Sequence, residues 1–306
     1  MTQAPSPPPK QKSRLRKTIS LFIKIAVTAL CFWYISVKID FGEALKALLN
    51  ANWLLLTLAL LFFVLSKVFS ALRLNIYFRN IGVRLTTIAN LRLYWLGMFY
   101  NLFLPGAISG DAYKVVLLNR RFSASYKKAS AAVLLDRFSG LIALGLILAV
   151  YGTIVLKEPF WDILLVAGAL LSLGGFYVAT RFLFRDFLPG FLSTFLWGLG
   201  VQLSQVVCIY LIMAGLNIPP SQSEWIFIFL AAAVVTILPL SLGGGLGTRE
   251  IVFAEGARFF SLDLQTGIAI SLLFYLVTVI GSLPGLIYVF TGPLAEKNNA
   301  TDGVRA

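Results

Sequence analysis

Three short stretches place acids beside bases inside an otherwise apolar chain. Asp111 and Lys114 follow Pro105, Gly106 and Gly110 in NLFLPGAISGDAYK. Asp136 and Arg137 are adjacent in AAVLLDRFSG. Arg249 and Glu250 close TILPLSLGGGLGTRE, after Pro239, Gly243, Gly244, Gly245 and Gly247. Such residues are suited to holding a polar or phosphate-bearing group: Arg offers a planar fork to phosphate oxygens and Lys a compact point charge. A glycine-rich turn that opens a helix adds backbone N–H groups and the positive end of the helix dipole. The glycine run matches neither the P-loop nor the dinucleotide fingerprint, and no strand pattern precedes it, so nucleotide binding is not expected. The structural alternative for these glycines is close helix packing. As neighbours on a helix, Asp136 and Arg137 point about 100° apart, so each is expected to find a separate partner or a wet cavity.

The chain contains no histidine, which removes imidazole acid–base chemistry and histidine-ligated metals. Cys31 and Cys208 are far apart and lack metal-ligand spacing; they read as small buried hydrophobes. No metal, cofactor or catalytic residue is expected.

The elements that must carry these residues are membrane spans. Of 306 residues, 58% are apolar and 13% charged, and the mean hydropathy is +0.85; soluble domains are about one quarter charged. Runs long enough to cross ~30 Å of hydrocarbon fall at Ile19–Val37, Trp53–Ser70, Ala129–Leu156, Phe160–Thr180, Phe191–Leu216 and Ile268–Phe290. The first follows a basic arm and has no small-residue cleavage site, so it reads as an anchor. The predicted fold is an all-α integral membrane protein with about six full spans and two re-entrant hairpins broken by Pro and Gly, because irregular backbone at membrane depth survives only where protein or a cavity covers it. Residues 1–18 form a basic, Pro-rich disordered arm, 19–290 a single membrane domain and 291–306 a short tail.

The distribution of the 26 Lys and Arg residues orients the spans, since bases concentrate on the cytoplasmic side. It puts the N-terminus inside and has span 2 deliver Arg73, Arg79, Arg84 and Arg92 to the cytoplasm. Lys24 and Lys67 read as residues near span ends that snorkel to the headgroups. A full crossing at Leu93–Ser109 would strand Lys114, Arg120, Arg121, Lys127 and Lys128 outside; a hairpin tipped at Leu104-Pro105-Gly106 avoids this. The second hairpin, at Trp225–Gly247, is expected to enter from the opposite face. Each half, 19–157 and 158–290, then reads span, span, hairpin, span, an odd number of crossings that predicts an inverted repeat. The bases are accounted for by topology, so nucleic acid is not an expected partner; membrane lipids, anionic or phosphate-bearing, are.

The three blocks NLFLPGAISGDAYKVVLLNRR, AAVLLDRFSGLIAL and LPLSLGGGLGTREIVF resemble the lysylphosphatidylglycerol synthase transmembrane region, or flippase-like domain, family. That family's pattern has a Pro-Gly-x-x-Gly-Asp block, a Leu-Asp-Arg block within a span and a Gly-rich block ending in Arg-Glu. Here these fall on Pro105, Gly106, Gly110 and Asp111, with one extra residue before Gly110; on Asp136 and Arg137; and on Gly243, Gly244, Gly245, Gly247, Arg249 and Glu250. The resemblance implies a membrane unit that translocates or handles lipids, expected here without the soluble synthase domain, in a bacterial inner membrane. It further implies a hopanoid or glycolipid setting without selecting a headgroup. The alternative is a membrane-embedded transferase or accessory subunit acting on a lipid carrier, with Asp111 or Asp136 as general base.

Overall fold

The computed structural model describes residues 49, 51–104, 109–237 and 248–294. These residues form helices and no strand: α1 (Trp53–Asn80), α2 (Thr87–Phe103), α3 (Ser109–Phe122), α4 (Tyr126–Val155), α5 (Pro159–Leu183), a 3-10 turn at Arg185–Gly190, α6 (Phe191–Gly215), α7 (Glu224–Ile237), α8 (Thr248–Phe259), α9 (Leu264–Ser282) and α10 (Pro284–Thr291). Five stretches among them are long and apolar enough to cross a membrane: Trp53–Asn80, Tyr126–Val155, Pro159–Leu183, Arg185–Gly215 and Leu264–Thr291. They correspond to the second to sixth spans read from sequence. The first, Ile19–Val37, lies outside the described residues, as do Cys31 and Lys24. So do the break residues Pro105, Gly106, Pro239, Gly243, Gly244, Gly245 and Gly247.

Local chemistry sets the helix ends. The Asn52 side chain accepts the N–H groups of Leu54 and Leu55 at the start of α1. The Thr86 hydroxyl caps α2 through Ala89 N, and Asp263 caps α9 by accepting both Thr266 N and its hydroxyl. Each satisfies donors that the first turn of a helix leaves unpaired. Pro159 stands at the start of α5, where its missing N–H costs nothing.

Helices α1 and α6 run antiparallel along their lengths. Asn52 N donates to Gly215 O at one end, and the Tyr77 hydroxyl meets that of Thr194 at the other. Between these points the Phe69 and Trp197 rings lie 5.2 Å apart. By contrast α5 keeps most of its surface open: Ile163, Leu170, Leu171, Val178 and Leu183 are all exposed. An apolar face of that extent is a liability in water and the expected lipid contact in a bilayer.

The apolar interior is divided. One cluster gathers Leu56, Ala59 and Phe63 of α1 with Leu144 and Ile147 of α4, Ile209 of α6, Trp225 and Phe229 of α7, Phe253 of α8 and Phe274 of α9. Another gathers Leu74, Tyr77 and Phe78 of α1 with Leu93 of α2, Leu118 of α3 and Ala132 and Leu135 of α4. On α1 the stretch from Ser66 to Arg73 falls between the two clusters, and on α4 so does the stretch from Asp136 to Gly140. A polar seam therefore separates two apolar cores.

Two span readings change. The helix read as ending at Ser70 continues to Asn80, so Arg73 is not delivered to the cytoplasm: it is buried inside the bundle. Lys67 sits fourteen residues after the start of α1 and thirteen before its end, in the middle of a helix roughly 42 Å long at 1.5 Å per residue. The physical reason for both changes is a stripe of polar residues, Ser66, Ser70, Arg73 and Tyr77, which recurs at helical spacing and faces other helices instead of ending the span.

Candidate functional site

Helices α2 and α3 bring the first acid–base pair inward. Residue 110 must be small: a Cβ there would run into the Gly97 carbonyl, while a Cβ on Gly97 would press on the end of the Lys114 side chain. The two backbones therefore touch, as small residues allow in membranes. Asn101 Oδ1 accepts Gly110 N at 2.8 Å, and the Tyr100 and Tyr113 rings meet edge to face at 5.1 Å. This close approach buries Asp111 and Lys114.

Asp111 is the centre of the resulting network. Its Oδ1 accepts Lys114 Nζ at 2.9 Å, and its Oδ2 accepts Arg137 Nε at 2.5 Å. Lys114 Nζ also lies 4.8 Å from the Tyr94 ring centroid. Arg73 Nε donates to Asp136 Oδ1 at 2.8 Å, with both side chains almost fully buried. Asp136 and Arg137 thus do take different partners, Arg73 and Asp111, as their angular separation on the helix requires. The Arg73 guanidinium fits beside α4 because residue 140 is glycine; a Cβ there would sit 2.9 Å from Arg73 Nη1. Gln202 of α6 reaches the same place and donates to Gly140 O at 3.2 Å.

The second acid–base pair is set differently. Helix α8 opens at Thr248, so Arg249 and Glu250 occupy its first turn, as the glycine-rich run before it predicts. Arg249 is buried, and its guanidinium carbon lies 4.8 Å from the Phe274 ring centroid. Glu250 Oε1 accepts the Ser271 hydroxyl of α9 at 3.0 Å. Phe274 in turn packs edge-on against Phe63 at 5.9 Å, and Lys67 Nζ lies 4.5 Å from the Phe63 centroid. Each ring of this aromatic pair therefore carries one cation.

Six residues were expected at the site: Asp111, Lys114, Asp136, Arg137, Arg249 and Glu250. Of the first four, Asp111, Lys114 and Arg137 form one connected group, and Asp136 pairs separately with Arg73. Arg249 and Glu250 lie at a second locus, and Lys67 is within electrostatic range of both Arg73 and Arg249. Sequence reasoning did not single out Arg73, Tyr94 or Lys67 for this site; the polar stripe along α1 was the available signal. A cation–π contact is worth about 2 kcal/mol when desolvated, whereas a charge at mid-span costs ~2.5–3.5 kcal/mol on insertion scales. Phe63 therefore offsets only part of the cost of Lys67.

Among the described residues no cluster of His, Cys, Asp and Glu could hold a metal ion, and Cys208 is a buried free thiol within an apolar cluster.

Fold and site together define a multi-pass α-helical membrane protein with a charged interior. The sequence matches the lysylphosphatidylglycerol synthase TM region family over residues 21–195 and 187–285, and the chain belongs to that family. It is also 24% identical over 130 residues to the UPF0104 membrane protein PH1989 of Pyrococcus horikoshii. That match covers 42% of this chain and 38% of the relative's length.

Proposed function

We propose that the protein translocates a polar or phosphate-bearing lipid, with the headgroup following the polar seam while the tails stay in the bilayer. The observation that carries this reading is the charge balance of the interior. Arg73, Lys114 and Arg249 are buried against Asp111 and Asp136 among the described residues, with Lys67, Arg137 and Glu250 half-buried on the same helices. Cations exceed carboxylates in a medium where an uncompensated charge is costly, and an anionic headgroup would restore neutrality. Side chains already engaged with one another can exchange partners with a passing phosphate, whose oxygens suit both the guanidinium fork and the ammonium group.

The reading has an architectural side. The breaks at Pro105 and Gly106 and at residues 239–247 would be re-entrant tips entering from opposite faces, with the N-terminus at the cytoplasmic face of a bacterial inner membrane. Residues 19–157 and 158–290 would be inverted repeats. In that scheme α1 and α6 are equivalent elements, and their antiparallel course is what a two-fold axis in the membrane plane requires.

The test is reconstitution of the full chain in liposomes with fluorescent phosphate-bearing lipids, with and without sugar donors. Protein-dependent movement of the lipid between leaflets, indifferent to the donor, supports translocation. Donor-dependent conversion of the lipid without leaflet exchange would replace this reading with that of a transferase.

A further inference from the structure

The two ends of α4 differ in charge. At its start, the turn from α3 leaves Arg120, Arg121, Lys127 and Lys128 exposed; at its finish, the turn to α5 exposes Lys157 beside Glu158, a base with an acid. The first turn is also held in shape. Ser123 N donates to Asn119 O at 3.0 Å, and the Asn119 amide donates to Ala124 O at 2.9 Å. Ser123 takes the left-handed conformation, with φ of 54°, and Ala124 turns inward and is buried. Arg120, Arg121 and Phe122 therefore stand at the end of one helix, and Tyr126, Lys127 and Lys128 at the start of the next, on a fixed connection. Both rings are open, Phe122 at 42% and Tyr126 at 53% exposure.

Helix stability does not account for this patch. Arg120 and Arg121 suit the negative end of the α3 dipole, but Lys127 and Lys128 lie in the first turn of α4, where the dipole disfavours cations. Asp186 meets Lys128 at 2.8 Å, and it brings exposed Arg185 beside it. Both members of that pair are about half exposed, so it contributes little. Among the described residues no ion pair engages Arg120, Arg121 or Lys127. The place of the turn indicates what covers it. Tyr126 is the first residue of a stretch able to cross a membrane, so the bases and rings lie where a span leaves the hydrocarbon. Aromatic rings collect at that depth, and clustered bases there attract anionic headgroups.

We propose that the α3–α4 turn is a surface site for anionic membrane lipid, with Arg120, Arg121 and Lys127 against the headgroup phosphates and Phe122 and Tyr126 at headgroup depth. The site is on the outside of the bundle and is independent of the translocation reading, since a lipid held here need not cross.

The experiment uses the full chain in a neutral detergent and measures binding of short-chain phosphatidylglycerol beside phosphatidylcholine of the same chain length. The wild type is expected to prefer phosphatidylglycerol and to lose that preference at high salt, which screens exposed charges. Arg120→Gln combined with Lys127→Gln should weaken phosphatidylglycerol binding about 25-fold, about fivefold for each base removed from an anionic headgroup layer. Phosphatidylcholine binding should not change. Arg120→Lys combined with Lys127→Arg keeps the charge and should keep the preference, and Lys157→Gln at the far end of α4 should leave both affinities as they are. All these positions are exposed, so the variants should melt with the wild type. Equal wild-type affinity for the two lipids overturns the site. So does phosphatidylglycerol affinity unchanged in the double glutamine variant, which would place the bound lipid elsewhere on the protein. A single-stranded oligonucleotide that displaces phosphatidylglycerol with the same dependence on Arg120 and Lys127 would also overturn it, by making the turn a nucleic-acid surface.

Discussion

At α2–α3, Asp111 accepts from Lys114 and Arg137, and Arg73 and Asp136 close a second buried pair beside them. At α7–α8, Arg249 lies on the Phe274 ring and Glu250 takes a hydroxyl from Ser271. Both regions have the same kind of sequence, Leu-Pro followed by small residues, glycines and an acid–base pair. One region answers the cost of buried charge chiefly with opposite charge, the other with an aromatic face as well. Ion pairs lock helices together because each partner is costly to bury alone. An aromatic cushion stabilises a cation less, and leaves it more readily available to an incoming anion. On the translocation reading proposed above, the first region would supply rigidity and the seam that leads to the second would take the ligand.

The sharpest break is Asp136→Leu. It leaves Arg73 buried without its carboxylate and should cost about 3–5 kcal/mol, read as a fall in the unfolding midpoint in detergent. Adding Arg73→Met should restore most of that loss, since an apolar pair of similar volume replaces the ion pair. Non-recovery in this double-variant cycle would mean that the Arg73 guanidinium has another essential role. Gly110→Ala comes next. Its methyl has no room against the Gly97 carbonyl, so the helices must separate, at about 1–3 kcal/mol; a midpoint equal to wild type would refute the close contact. Arg249→Lys should change stability by about 1 kcal/mol or less, the scale of one cation–π contact, while slowing anionic-lipid flux. The least effect is expected from Arg121→Ala, an exposed base at the end of α3; surface changes of this kind stay within ~0.5 kcal/mol, and complementation by an expression-matched strain should be unimpaired.

The spans were legible because their apolar runs exceed what any soluble core needs; four of the six recur as helices within a few residues of their expected ends, and the second recurs ten residues longer. The exception teaches most. Hydropathy ended the second span at Ser70 because Arg73 reads as a solvent-facing base, and only tertiary context supplies Asp136, sixty-three positions away, as its partner. The separate fates of Asp136 and Arg137 were readable from helical geometry alone. The identity of their partners was not, because it depends on how α1, α3 and α4 cross. Lys67 was misjudged for the same reason as Arg73: a span drawn too short placed it near an end. Glycines at 97, 110 and 140 gave no periodic signal, and their meaning appears only where a neighbouring backbone or guanidinium occupies the space a side chain would take.

The central claim is that the seam conducts a phosphate-bearing headgroup and that Arg249 is one of its ligands. The most direct test is flux of a labelled anionic phospholipid in proteoliposomes, beside a neutral isoprenoid lipid of similar size, for wild type, Arg249→Lys and Arg249→Ala. The account predicts that anionic flux falls in the order wild type, Lys, Ala, because Lys keeps the charge and loses the fork, while neutral-lipid movement stays at its wild-type level. Anionic flux unchanged in both variants, or a loss confined to the neutral lipid, would contradict it.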